Sequence, residues 1–232
     1  MCRKPGILVV GSFVMDIIVS TGRMPGAGET VIDGLSFHTA PGGKGANQAA
    51  QAARLGARVS MVGKTGRDLF GDQLVESAAR AGVDISAVLR AEDVSSGIGN
   101  IILEVSPGKT TENRIIVVPG ANMKLSVNEI KFVAEIISQY DMLMLQLEIP
   151  MEVNEAAASF AYERGVPVML NPAPAAQLPD SLLSKLTYIS PNEHEAASLT
   201  GIEIKRKGVS VDMDAVKAAA EALLAKGVGN VI

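Results

Sequence analysis

The 232-residue sequence predicts an α/β protein in which a mostly parallel sheet is covered by helices on both faces. From Val59 onward, short apolar runs typical of buried strands alternate with helical segments, which is the pattern of a parallel sheet. Hydrophobic residues make up 47% and charged residues 20%, so the chain has the composition of a folded domain. The 23 glycines and 11 prolines suit many tight turns and argue against a helical bundle.

The individual elements follow from local patterns. We assign short apolar runs ended by glycine or polar residues to strands, and alanine-rich or amphipathic segments closed by glycine to helices. Ser126-x-x-Glu129 is a capping box and predicts a helix that continues to Ile137. The predicted strands are residues 7–10, 17–20, 31–39, 59–62, 98–105, 114–118, 142–147, 166–170, 188–190 and 230–232. The predicted helices are the second half of 40–56, then 70–81, 126–137, 151–164, 182–186, 192–199 and 212–226.

Some extended segments do not fit the alternation of strands and helices. Residues 98–118 read as a hairpin with a loop around Ser106-Pro-Gly-Lys109, and two further extended pieces precede the glycine-rich turn. We expect these segments, approximately 16–39 and 98–118, to form a small antiparallel lid inserted in the α/β domain of residues 1–232. Ligands of open α/β sheets bind at the carboxyl ends of the strands, so the lid is expected to cover that edge.

Composition and charge exclude several classes of function. The net charge of −4 offers no basic surface for nucleic acid or an anionic membrane, and aromatic residues are only 3% with no tryptophan for base stacking. No apolar stretch approaches the roughly 18 residues of a membrane span. The single cysteine, Cys2, rules out an intramolecular disulfide or a cysteine-based metal site. We therefore expect a cytoplasmic protein.

The segment Pro41-Gly-Gly-Lys-Gly-Ala-Asn47 runs directly into the alanine-rich helix. Its glycines would let a ligand approach the backbone, and a helix start presents free N–H donors. It is not a Walker A loop, because Gly43-Lys44 is followed by Gly45, and the sequence contains no G-x-G-x-x-G fingerprint. The competing interpretation is a turn whose glycines only allow the helix to pack closely.

Eight motifs, in order along the whole chain, resemble those of PfkB-type carbohydrate kinases and, within that family, are most similar to the ribokinases. The resemblance implies a ribokinase-like three-layer αβα sandwich with a mostly parallel sheet and a small β lid. The motifs are Val10-Gly-Ser12 followed by Asp16, Pro25-x-x-Gly-Glu-Thr30, residues 42–49 with Ala53-x-Leu-Gly56, Val62-Gly-x-x-Gly66, Pro119-Gly-Ala-Asn122, Gln146-Leu-Glu148, Asn171-Pro-Ala-Pro174 and Pro191-Asn-x-x-Glu195.

The resemblance implies a sugar-binding site. Asp16 is expected to accept hydrogen bonds from sugar hydroxyls. Glu148 ends a buried strand, and a buried carboxylate costs free energy unless it binds a ligand or has a charged or hydrogen-bonding partner. Lys44 is expected either to pair with Glu148 or to face the developing phosphate charge, and both alternatives stay open. The expected substrate-binding residues are Asp16, Gly42, Gly43, Lys44, Asn47 and Glu148.

The resemblance also implies the beginning of a nucleotide site. Asn192 is expected near the phosphates of ATP, and Glu195 is expected to orient water around Mg²⁺, which takes few protein ligands. The two residues are spaced i, i+3 and so share one face of a helix. Without the preceding motifs, Asn192 reads as a helix N-cap beside solvated acids. The resemblance adds a monovalent cation, K⁺, and a homodimer formed through the lid strands.

The implied activity is ATP-dependent phosphorylation of D-ribose at its primary hydroxyl. The family's second signature, Gly-Ala-Gly-Asp, supplies the base and anion hole, and it does not occur in these residues. We therefore assign no catalytic residue, expect the C-terminal part of the fold to be missing, and expect a polypeptide ending at Ile232 to be inactive. The alternatives are an inactive fragment or isoform that binds sugar or a partner through the lid, and a family kinase for another sugar.

Overall fold

The computed structural model describes residues 3–105, 111–207 and 210–232, so Cys2 and the loop of the predicted hairpin lie outside the described residues. The strands within these ranges are β1 Gly6–Val10, β2 Val14–Thr21, β3 Gly34–Gly42, β4 Arg58–Gly66, β5 Val83–Asp84, β6 Val88–Ala91, β7 Gly97–Glu104, β8 Glu112–Val118, β9 Met142–Leu145, β10 Val168–Leu170, β11 Tyr188–Ile189, β12 Arg206–Lys207, β13 Ser210–Val211 and β14 Asn230–Val231. The α-helices are α1 Lys44–Arg54, α2 Leu69–Arg80, α3 Val133–Ile136, α4 Met151–Glu163, α5 Asp180–Leu183, α6 Glu193–Thr200 and α7 Met213–Ala225.

The main sheet has the order β14-β11-β10-β9-β1-β4-β5, and β6 pairs with the end of β4. Every pair of neighbouring strands in it is parallel. Alternate residues of β1 point to opposite faces, so Leu8 and Val10 belong to one buried apolar cluster and Val9 to another. A sheet buried on both faces by helices confirms the predicted fold class.

A second sheet, which we call the lid sheet, has the order β3-β2-β7-β8. The hairpin of β7 and β8 is antiparallel as predicted, but the central pair, β2 and β7, is parallel over its whole length. The prediction of a purely antiparallel lid is therefore wrong. About 75 residues separate these two strands, so no short turn dictates their direction. The boundaries proposed for the lid as a unit stay a prediction.

The helix predicted from Ser126 to Ile137 is interrupted. The capping box is present, but it opens a 3₁₀ helix at Val127–Ile130, which is followed by α3 and by a second 3₁₀ helix at Ile137–Gln139. Valine and isoleucine are frequent here, and β-branched side chains lower helix propensity. The segment is held by burial instead, because Ile130, Val133 and Ile137 are fully buried in the core.

None of the helices in the described part of the chain is both long and apolar enough to cross a bilayer.

Asn154 on α4 is a fully buried amide, and within the described ranges neither its Oδ1 nor its Nδ2 has a hydrogen-bond partner. An unsatisfied buried polar group costs about 1–3 kcal/mol. We therefore expect Asn154→Leu to raise the free energy of unfolding by about that amount. Urea denaturation measures it, with Asn128→Leu on the exposed surface as the matched control. A loss of stability in Asn154→Leu would contradict the prediction.

Candidate functional site

A cavity of about 620 Å³ lies between the lid sheet and the carboxyl ends of β1 and β9. One part of its wall is apolar and comes largely from the lid, including Val14, Ile101, Ile115 and Val117. The polar part comes from the lid, from the start of α1 and from the segment after β9. Its polar side chains are Asp16, Lys44, Asn47, Asn122 and Glu148. The volume is in the range of small-molecule binding sites.

Asp16 is placed by two glycines on the neighbouring strands of the lid sheet. A Cβ atom at Gly42 would lie 2.8 Å from Asp16 Oδ2, and one at Gly99 would lie 2.5 Å from Oδ1. The carboxylate is half-buried, and no hydrogen bond to it is formed by the residues that the structure describes. Burial raises the pKa of Asp16, the nearby Glu148 raises it further, and Lys44 lowers it. An unpartnered carboxylate is thus exposed to the cavity.

Glu148 is held at the first turn of α1. Its Oε2 atom accepts a hydrogen bond of 2.5 Å from the hydroxyl of Ser12 and one of 2.8 Å from the backbone N–H of Lys44. A carboxylate at a helix N-terminus also gains from the helix dipole. The cost of placing a charged side chain at the end of a buried strand is therefore offset by these contacts, and Glu148 still lines the cavity.

The other N–H groups of this helix start are also used. Gly45 N–H donates to Ser12 Oγ at 3.2 Å, Ala46 N–H donates to the Ser12 carbonyl at 3.0 Å, and Asn47 N–H donates within the helix to Gly43. The prediction that this helix start presents free N–H donors to a ligand is therefore wrong. The donors are taken because the preceding turn brings Ser12 and Glu148 against the helix.

The glycines of this turn serve close packing. Gly43 has a φ of +95°, and a Cβ atom there would lie 2.7 Å from the backbone nitrogen of Val14. A Cβ atom at Gly45 would lie 2.4 Å from the nitrogen of Ser12. The competing interpretation, a turn that allows the helix to pack, therefore holds for both of these glycines, while Gly42 makes room for Asp16.

Lys44 meets Glu148 through its backbone and not through its ammonium group. Within the described ranges, its side chain forms no hydrogen bond or ion pair, although it lines the cavity and lowers the pKa of Asp16. The predicted pairing of the Lys44 side chain with Glu148 is thus wrong. The alternative, that the ammonium group faces a phosphate, stays a prediction. Asn47 is exposed and reaches the same cavity.

Two residues of the site had no role assigned from the sequence. Asn122 is 1% exposed, and its amide bridges Phe13 in both directions: Oδ1 accepts from Phe13 N–H at 2.9 Å and Nδ2 donates to the Phe13 carbonyl at 2.7 Å. It ties the segment after the lid to the start of β2. Gly99 had one available signal, the alternation Gly97-Ile-Gly99 within a strand, which indicates a close approach by another group.

Asn192 and Glu195 lie elsewhere, after the carboxyl end of β11. They form a reciprocal capping box: Asn192 Oδ1 accepts from Glu195 N–H at 2.8 Å, and Glu195 Oε2 accepts from Asn192 N–H at 2.9 Å. Asn192 lines a separate cavity of about 390 Å³ and not the one that contains Asp16. Asn192 therefore has the helix-capping role that the alternative interpretation foresaw, but Glu195 is buried and is not the solvated acid that the same interpretation assumed.

The described residues contain no group of three or more His, Cys, Asp or Glu side chains that could hold a metal. Glu195 is 6% exposed, and its Oε1 atom also accepts a hydrogen bond from Asn192 Nδ2. It does not form a Mg²⁺ site with neighbouring side chains. Contact of Glu195 with Mg²⁺ through water therefore stays a prediction.

The parallel sheet, the lid sheet and the polar cavity between them define a small-molecule-binding α/β protein of the ribokinase-like class. The chain belongs to the pfkB family of carbohydrate kinases, whose model matches residues 4–232. It is 41% identical over 193 residues to a ribokinase of Bacillus subtilis, covering 83% of this chain and 64% of that protein. It is 38% identical to a ribokinase of Schizosaccharomyces pombe, covering 97% of this chain and 70% of that protein.

Solved structures agree with the fold. The structure of Arabidopsis thaliana ribokinase complexed with ribose and ATP superposes with a TM-score of 0.85 and 32% identity, covering 99% of this chain and 71% of that one. Thermotoga maritima ribokinase superposes with a TM-score of 0.80 and 32% identity, covering 97% of this chain and 70% of that one. The chain thus spans roughly two thirds of these relatives, and the activity of a whole protein of this kind is a proposal for it.

Proposed function

We propose that this chain carries the sugar-binding part of a kinase that transfers a phosphoryl group from ATP to the primary hydroxyl of D-ribose, yielding ribose 5-phosphate. The observation that carries the proposal is the unpartnered, half-buried carboxylate of Asp16 beside Glu148 in one cavity. Ionised carboxylates form strong hydrogen bonds with hydroxyl donors. The carboxylates of Asp16 and Glu148, together with the Asn47 amide, are therefore suited to bind a polyol.

The roles proposed for the remaining residues follow the same logic. Gly42 acts on the sugar through Asp16, for which it makes room, and Gly43 offers its backbone at the cavity wall. Lys44 supplies the positive charge that phosphoryl transfer requires near the transferred group. Asn192 and Glu195 are proposed to lie near the phosphates of ATP and its Mg²⁺. ATP as phosphoryl donor is supported by the ATP and ADP complexes of ribokinases from Arabidopsis thaliana and Cryptococcus neoformans. K⁺ belongs to the proposal through the family alone, and a cytoplasmic location belongs to it through the single cysteine of the sequence.

A polypeptide consisting of residues 1–232 is expected to bind D-ribose without turning it over. Phosphoryl transfer needs a base for the attacking hydroxyl, and the Gly-Ala-Gly-Asp signature that supplies it in this family is absent from these residues. Isothermal titration with ribose and a coupled assay of ADP release measure the two properties on the same sample. Ribose-dependent ADP release by this polypeptide would contradict the expected inactivity, and absence of ribose binding would contradict the proposed site.

The affinity for ribose is expected to fall in mild acid. Since the pKa of Asp16 is raised above 3.8, its protonation begins at a higher pH than for an ordinary aspartate, and a protonated carboxyl loses acceptor capacity. Binding is therefore complete above the raised pKa and is lost as the pH falls through it. Titrations with ribose from pH 7.5 downward, over the range in which circular dichroism shows the chain to be folded, check this. An affinity that stays constant over that whole range would contradict it.

Two alternatives are favoured by particular observations. Deoxyribokinases of Salmonella are 36% identical over 97% of this chain, so 2-deoxyribose is the sugar to compare with ribose in the same titrations. The outer face of the lid sheet exposes Phe37 and Ile116, which are 68% and 66% exposed. An apolar face of this kind suits the alternative of a chain that binds a partner through the lid without catalysis, and it equally suits the homodimer that belongs to the proposed function.

A further inference from the structure

We infer that Ser12 is a positioning residue, which holds one oxygen of Glu148 against the start of α1 so that the other oxygen is presented to the ligand. This inference deepens the proposed function and rests on it, because it takes Glu148 to be a ligand of the sugar. Ser12 does not line the cavity, so any effect on the sugar passes through Glu148 and the helix start.

Ser12 connects three parts of the fold at once. It is 0% exposed and follows β1, and its hydroxyl both donates to Glu148 Oε2 at 2.5 Å and accepts from Gly45 N–H at 3.2 Å. Its carbonyl accepts from Ala46 N–H at 3.0 Å. A hydroxyl is the smallest side-chain group that can donate and accept at the same time, so an aliphatic residue cannot replace both bonds.

The two oxygens of Glu148 have different surroundings. Oε2 accepts from Ser12 and from Lys44 N–H, whereas Oε1 accepts no hydrogen bond from any residue in the described part of the chain. Two donors on one oxygen fix the rotation of the carboxylate about its last bond. The side chain lines the cavity beside Asp16, so the unpaired Oε1 is the atom available to a sugar hydroxyl.

Removal of the Ser12 hydroxyl has two consequences that a general packing defect would not share. Glu148 loses one of the two donors that orient it, and Gly45 N–H loses its acceptor in a buried place. The remaining bond from Lys44 N–H permits the carboxylate to rotate. The loss of ribose affinity on removal of the Ser12 hydroxyl should therefore be no larger than the loss on removal of the Glu148 carboxylate.

A double-mutant cycle on ribose affinity tests the inference, using isothermal titration of wild-type, Ser12→Ala, Glu148→Ala and the double variant with D-ribose, since alanine leaves no oxygen for Ser12 to orient. We expect Ser12→Ala to weaken binding by about tenfold, the usual scale for a hydrogen bond to a charged group, and to add little when Glu148 is already replaced. Ser12→Thr keeps the hydroxyl and should restore most of the affinity. Ser60→Ala removes another buried serine hydroxyl, on β4, and should leave the affinity unchanged.

Equal loss of affinity from Ser12→Ala in both backgrounds would overturn the inference, as would full affinity in Ser12→Ala. Thermal unfolding of the same variants without ribose provides a readout that does not depend on the sugar. The losses in Tm should be less than additive if the two side chains act together. If the wild-type chain binds no ribose, the proposed function fails. The coupling between Ser12 and Glu148 would still be tested by the Tm values, and additive losses of Tm would overturn it.

Discussion

Asp16→Asn is expected to weaken the binding of D-ribose by two orders of magnitude or more. The carboxylate of Asp16 accepts no hydrogen bond from the described residues, so both oxygens are available to sugar hydroxyls. Hydrogen bonds to a charged group contribute about 1.5–3 kcal/mol each, and 1.4 kcal/mol corresponds to tenfold in affinity. Asparagine keeps the shape but replaces one acceptor oxygen by an NH₂ donor and removes the charge.

Isothermal titration with ribose measures this loss, and thermal unfolding shows whether the variant is folded. Because Asp16 is half-buried beside Glu148, removal of its charge should leave the fold intact or stabilise it slightly. Asp33→Asn, in the exposed loop between β2 and β3, is the matched control and should bind ribose like the wild type. Unchanged affinity in Asp16→Asn would remove Asp16 from the site.

Gly99→Ala is expected to weaken ribose binding by roughly tenfold to a hundredfold, on the scale of one or two hydrogen bonds to a charged group. The added Cβ atom would lie 2.5 Å from Asp16 Oδ1, so the carboxylate must leave its position between Gly42 and Gly99. The backbone of Gly99 lies in a strand without a positive φ, and alanine is compatible with it. The effect therefore passes through Asp16 and not through the backbone.

Gly34→Ala is the matched control for this substitution. Gly34 is also in the lid sheet, and the nearest atom to a Cβ there is 3.9 Å away, which is ordinary contact. The control should keep both the ribose affinity and the Tm of the wild type. Gly99→Ala should lose ribose affinity but keep a Tm near that of the wild type. Full affinity for ribose in Gly99→Ala would contradict the placement of the Asp16 carboxylate between Gly42 and Gly99.

Both predictions concern positions that the sequence revealed to different degrees. Asp16 was identified because it follows a strand within an ordered series of motifs that resembles those of a known family. Gly99 belongs to none of those motifs, and its importance depends on the parallel pairing of Asp16 with Gly99 across β2 and β7. No local pattern specifies this pairing, because the two strands are distant in the chain and no turn connects them.

The same distinction applies to Ser12 and Glu148. Each residue stands in a recognisable motif, and the burial of a charged side chain predicted a use or a partner for Glu148. The partners themselves, a hydroxyl 136 positions away and a backbone N–H 104 positions away, appear only when the chain is folded. Sequence reasoning offered the ammonium group of Lys44 as one possible partner, with the phosphate as its alternative role, because a charged side chain is visible in a sequence and an oriented N–H group is not.

The sequence by itself determined the α/β class and most strands and helices, because hydrophobic periodicity and glycine positions are local properties of the chain. The family resemblance assigned a role to five of the residues that line the cavity, Asp16, Gly43, Lys44, Asn47 and Glu148, but to neither Asn122 nor the apolar part of the wall. The tertiary structure alone decided the parallel pair in the lid, the slot between Gly42 and Gly99 that holds Asp16, and the attachment of Glu148 to Ser12 and the start of α1. These features depend on contacts between distant segments, and such contacts form only when the strands and helices pack around a common core.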